Sequence, residues 1–215
     1  MTATIPTPIA FDTPLDYKDE IRAQAGRVRW LTIPSRRYLV IDGTEAPGSP
    51  DFQDAIGALY PVAYTLHFTL KGRGVDASVG ALQGLYWLGG QAPTSGEVPS
   101  TTAEGRAGWR WRLMLPIPDA ATTTDIEAAI RAVRMHKQPP RIDEVWVHTW
   151  EEGPAAQILH IGRYADEPTT IARLQAEVAD LGLRTRGVHH EIYISDPNRA
   201  APERMRTLLR QDVEA

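Results

Sequence analysis

The spacing of apolar and polar positions changes several times along the chain, and each change marks an element. Residues 109–115 (WRWRLML) alternate strictly, with Trp109, Trp111, Leu113 and Leu115 on one side, which predicts a half-buried strand. Short β-rich runs predict strands at 37–41, stopped by Asp42-Gly43, at 82–88 and at 189–195. Residues 145–150 and 155–161 read as two strands joined by a tight, solvated turn at Glu151-Glu152-Gly153-Pro154. Helical spacing follows a cap at Ser49 or Asp51, with Phe52, Ala55, Ile56, Leu59, Ala63 and Leu66 in phase and Pro61 expected to kink or split the helix. Two more helices are predicted at 122–137, with Ile126, Ile130 and Val133 on one face, and at 167–181, ended by Gly182. Residues 204–210 read as a short final helix whose arginines, with Arg199, face solvent. Gly, Pro, Ser and Thr make 89–108 an expected exposed loop, suited to serve as a lid.

Element order suggests a duplication. The strand at 38–41 and helix at 51–66 parallel the strand at 158–161 and helix at 167–181, each followed by further strands. The expected organisation is an N-terminal arm over 1–35, punctuated by prolines and holding a helical turn or two at 16–24, then one domain over 36–215. Its modules are expected at about 36–120 and 121–215.

Composition narrows the function classes. The chain has 215 residues, enough to bury a core, and a net charge of −4, which argues against a dedicated nucleic-acid binder. Cysteine is absent, which excludes thiol catalysis and cysteine-held metal centres. The expectation is a cytoplasmic protein with no secretory leader and no membrane span.

Most enzyme signatures are missing. Gly72-Arg73-Gly74 lacks the Lys and Ser/Thr of a phosphate loop, and no G-x-S-x-G or H-E-x-x-H occurs. On a strand, His189 and Glu191 point one way and His190 the other, poor geometry for a shared metal, so no metal or cofactor is expected. The informative feature is aromatic: Tyr86, Trp87, Trp109, Trp111, Trp146, Trp150 and Tyr193 all fall in expected strands. Either Ile192 and Ile194 face a core while Glu191 and Tyr193 face water, or aromatic walls surround the Glu191 carboxylate and suit a flat, apolar ligand. The pattern alone leaves both open.

The stretches RYLVIDG (37–43), PGSPDFQDAIGALYPVAYTLHF (47–68), LQGLYW (82–87), WRWRLMLPIPD (109–119), EEGPAAQILHIGRYADEPTTI (151–171) and GVHHEIYISDPNRAAPERMRTLLR (187–210) resemble the GyrI-like small-molecule-binding family. The resemblance implies an α+β fold of two strand–helix–strand–strand modules, with antiparallel sheet, a pseudo-twofold axis and a ligand groove between the halves. The family's E-x-Y pattern on its last strand matches Glu191 and Tyr193, which implies a pocket carboxylate. Relatives that regulate transcription add a helix-turn-helix domain, for which this chain has no expected segment.

The resemblance extends to a stand-alone subfamily that includes cyclopropanoid cyclopropyl hydrolases, which open the strained ring of DNA-alkylating natural products within an aromatic cage. It implies a detoxifying hydrolase, with Glu191 orienting or deprotonating water and Tyr193 or Tyr164 donating to the developing phenolate. Ligand contacts would come from Tyr86, Trp87, Trp109, Trp111 and Tyr164. The alternative is a protein that binds and sequesters planar hydrophobic drugs without chemistry. A macromolecular partner such as gyrase is the least expected reading.

Overall fold

The computed structural model describes residues 10–89 and 108–215, so the expected loop at 89–108 lies almost wholly outside the described residues. The chain forms two compact units, a central one of residues 35–89 and 108–151 and a terminal one of residues 10–34 and 152–215.

The central unit holds strand β2 (Arg36–Thr44), helix α2 (Pro50–Gly72), strands β3 (Gln83–Leu88) and β4 (Trp109–Pro116), helix α3 (Thr123–His136) and strand β5 (Trp146–Trp150). Its antiparallel sheet runs β3-β4-β2-β5. Ser49 caps α2 by accepting from the Phe52 amide, and Pro50 fills the first turn, where its missing N–H costs nothing. The helix runs unbroken through Pro61, because its buried face from Phe52 to Leu70 outweighs one lost hydrogen bond. Thr122 and Asp125 form a reciprocal capping box at the start of α3.

The terminal unit holds helix α1 (Tyr17–Glu20), strands β1 (Arg29–Ile33) and β6 (Gly153–Ile161), helix α4 (Glu167–Asp180) and strands β7 (Arg184–Tyr193) and β8 (Arg206–Glu214). Its sheet, ordered β1-β6-β8-β7, is also antiparallel. Both units share one plan: β2-α2-β3-β4 in the order β3-β4-β2, and β6-α4-β7-β8 in the order β7-β8-β6. The duplication and the α+β class are therefore present.

Several expectations need correction. The arm supplies β1, hydrogen-bonded to β6, and α3 and β5 belong with the first strand–helix–strand–strand set rather than the second. The strands at 146–150 and 153–161 do not pair as a hairpin, since β5 joins β2 while β6 joins β1 and β8. The expected final helix at 204–210 is a single 3-10 turn (Pro202–Arg204) leading into β8, which is buried from Thr207 to Val213. A strand covered on both faces loses the polar–apolar alternation that would reveal it.

Burial of β8 rests on a charged network. Arg210, with no exposure, contacts Glu152 Oε2 at 2.7 Å, Glu20 Oε1 at 3.1 Å and Gln157 Oε1 at 2.7 Å. His190 Nδ1 stands 2.8 Å from Glu152 Oε1. Glu152 and Arg210, expected in solvent, are thus buried ion partners, while Arg199 is exposed.

Candidate functional site

Antiparallel register sorts the terminal sheet's side chains onto two faces. Gln157, His190 and Arg210 are in cross-strand register and face α1 through Glu20. On the opposite face, Glu191 is level with Leu209, and Tyr193 and His160 are both level with Thr207. Helix α4 covers this second face, since Thr170 contacts His160 and Tyr164, in the 3-10 turn before α4, meets Tyr193.

Glu191 is the centre of this face and is 8% exposed. Tyr193 donates its hydroxyl to Oε2 at 2.7 Å, and His189 Nε2 stands 3.1 Å from Oε1, so both carboxylate oxygens accept. Alternation along β7 places all three together, two residues apart each time. The Tyr164 and Tyr193 rings meet edge-on at 6.0 Å between centroids. Burial, then the negative charges of Glu191 and Glu167, push the Tyr164 hydroxyl up to about 12, which keeps it a proton donor across the physiological range.

Glu167 was not singled out by the sequence. It opens α4, is 3% exposed, and has Oε1 without a hydrogen-bond partner among the described residues. Burial, reinforced by the charge of Glu191, pushes its carboxyl up to about 9. Its one sequence signal is the residue type at the first turn of a helix, which reads as an ordinary dipole partner.

The central unit's aromatics divide between its two sheet faces. Tyr86 is in register with Trp111, and its ring packs 5.5 Å from Trp109. This is the face α2 covers, since Phe52 meets Trp111 edge-on at 5.1 Å. Trp111 is fully buried, donates Nε1 to the Thr44 carbonyl at 3.1 Å, lies over Gly43 and has the Arg141 guanidinium 5.5 Å from its ring. It is a core residue. Trp87 alternates to the opposite face, and its buried Nε1 has no partner among the described residues. Hence Glu191, Tyr193 and Tyr164 stand together, Tyr86, Trp109 and Trp111 form a second group, and Trp87 shares a face with neither Tyr86 nor Trp111.

Among the described residues, no group of three or more His, Cys, Asp or Glu is placed to hold a metal ion, and no helix is long and apolar enough to cross a membrane.

Residues 118–211 match the GyrI-like small molecule binding domain. An uncharacterized conserved protein from Listeria innocua is 29% identical with a TM-score of 0.80, over 92% of this chain and 97% of that one. Two hydrolases from Listeria innocua are similar as well. One is 29% identical with a TM-score of 0.79, over 94% of this chain and 100% of its own. The other is 27% identical with a TM-score of 0.76, over 92% and 96%. The C-terminal domain of EcmrR, 12% identical at a TM-score of 0.52 over 87% of this chain and 97% of its own, shares the fold. No curated protein sequence matches the chain. The match spans β6, α4, β7 and most of β8 and so covers the whole of the Glu191 face.

Proposed function

We propose that this protein binds flat, hydrophobic xenobiotics and hydrolyses the cyclopropane ring of DNA-alkylating cyclopropanoid compounds. The observation that carries the reading is Glu191: a carboxylate nearly withdrawn from water, both oxygens engaged, beside the Tyr164 and Tyr193 rings. The similarity to two hydrolases and the small-molecule binding domain support it.

The chemistry asks little of the protein. The ring is conjugated to a dienone, so water attack on its methylene breaks a strained C–C bond and leaves an aromatic phenolate. Glu191 accepts the proton of the attacking water, a task that requires hydrogen-bond reach. Tyr193 and His189 orient that carboxylate, which makes Tyr193 a positioning residue rather than the donor to substrate. Tyr164 then supplies the hydrogen bond to the growing phenolate oxygen. Of the central unit's aromatics, Trp111 serves by holding β4 and α2 together.

The reading is tested by incubating the protein with a spirocyclopropyl-dienone alkylator and following mass and tryptophan fluorescence. Gain of one water beyond the buffer rate supports hydrolysis. Intact compound with quenched fluorescence would leave a sequestering protein instead.

A further inference from the structure

We propose that the outer edge of β5 docks a second copy of this chain, the two β5 strands pairing antiparallel across a twofold axis at His148. The inference concerns assembly and stands apart from the hydrolase reading.

Among the described residues β5 is hydrogen-bonded to β2 alone and ends its sheet. Backbone groups that point away from β2 therefore meet no other strand, and such an edge is a template for a further one. Proteins usually blunt an edge with charge, proline or a bulge, or cover it. β1 shows that protection. It opens on Arg29, and the arm takes up its outer side: the Asp12 amide donates to the Trp30 carbonyl at 3.0 Å and the Thr32 amide to the Asp12 carbonyl at 2.9 Å. β5 has none of it. Its sequence, Trp-Val-His-Thr-Trp, holds no Asp, Glu, Lys, Arg, Pro or Gly and pairs with β2 in an unbroken register. Trp146 is 41% exposed and Val147, on the other face, 37%.

The occupant follows from self-complementarity. A twofold axis turns an edge strand antiparallel to its copy, the direction that every pairing in this unit already has. With the axis at His148, Trp146 stands opposite the partner's Trp150 and Val147 opposite the partner's Thr149. Aromatic then meets aromatic and β-branched meets β-branched, the combinations that stabilise cross-strand pairs.

Charge agrees with the pairing. His148 would meet its own copy, and burial, then the Arg112 charge, hold its pKa below the usual value, so the two rings are neutral at pH 7. The charges beside it are already closed off: Arg112, 4.9 Å over the Trp146 ring, bonds both carboxylate oxygens of Asp42 at 2.6 and 2.8 Å. Tyr38, in register with His148, is buried. Five residues a side make a smaller contact than a standard interface of about 1,200–2,000 Å², so the association should be weak and governed by concentration.

The test uses the full chain, whose lack of cysteine makes a single introduced thiol specific. In sedimentation from about 1 μM to about 0.5 mM the wild type should pass from one chain to two. Val147→Lys, at an exposed position, sets a charge on the edge and should weaken association about tenfold or more. His148→Cys should cross-link to a covalent dimer on mild oxidation, because opposed Cα atoms of an antiparallel pair stand about 4.5–5.5 Å apart. Thr149→Cys should not, since its own copy lies two residues along from its opposite number, beyond the roughly 7 Å that a disulfide spans. A wild type that stays monomeric throughout overturns the proposal and leaves the edge to a strand of another protein. A dimer that Val147→Lys leaves unchanged overturns it by placing the interface elsewhere. Thr149→Cys cross-linking as readily as His148→Cys overturns the twofold at His148.

Discussion

Tyr193 donates its hydroxyl to Glu191 at 2.7 Å from two residues further along the same strand, so β7 itself fixes the direction of the carboxylate. No other element has to move for that contact to exist. The pair is therefore preorganised, and the two residues should separate cleanly in kinetics.

Glu191→Gln removes the proposed base and should lower the rate of water addition by about 100-fold or more, the usual scale of general-base catalysis, with fluorescence quenching by ligand retained. Tyr193→Phe should lower it less, because His189 still holds the other oxygen. Equal losses in both variants would show that Tyr193 meets the substrate itself.

The buried charge cluster makes a stability prediction. Arg210→Leu leaves Glu20, Glu152 and Gln157 without their shared donor and should cost about 3–5 kcal/mol in chemical denaturation. Since Glu20 belongs to α1, limited proteolysis of the variant should cut first within residues 10–28. A variant as stable as wild type would mean the cluster is bridged by water instead.

Three carboxyls set the pH dependence of stability. Burial, then the Glu152 charge, pushes Asp212 up to about 9 even though Arg186 lies 3.5 Å away, and Glu167 is raised to the same level. For a raised carboxyl, stability is full below the unfolded value near 4 and is lost as pH climbs towards 9. Glu152 runs the other way: Arg210 and His190 hold it at about 2 despite burial, so its contribution is present above 4.5 and lost below. Stability should peak at mildly acidic pH and fall from pH 5 to pH 8, and Asp212→Asn should flatten that fall. A curve rising towards pH 8 would contradict the assignment.

Gly43 lies beneath the Trp111 ring, where an added Cβ would come within 2.1 Å of two ring carbons. Gly43→Ala should destabilise the protein by about 1–3 kcal/mol, as overpacking does, and shift tryptophan emission. Unchanged emission would place the Trp111 ring elsewhere.

The elements that alternate or carry caps were legible from residues alone. WRWRLML, the Ser49 cap and Gly182 each mark their element locally. The misses share a cause: β8 and the turn at Glu152 look polar because their charges are satisfied by partners far apart in the chain, Arg210 with Glu20 and Glu152. β1 was hidden in a proline-flanked arm, and its pairing with β6 is a long-range contact that no local pattern announces. In the candidate site, E-x-Y on β7 was visible, whereas Glu167 joined Glu191 only through the packing of α4 on the sheet.

The most direct measurement of the central claim is single-turnover mass spectrometry of a spirocyclopropyl-dienone alkylator mixed with excess protein. Wild type should convert it to the product heavier by one water, and Glu191→Gln should bind it and leave it unchanged. Conversion at the buffer rate by wild type, or at the wild-type rate by Glu191→Gln, would contradict the account.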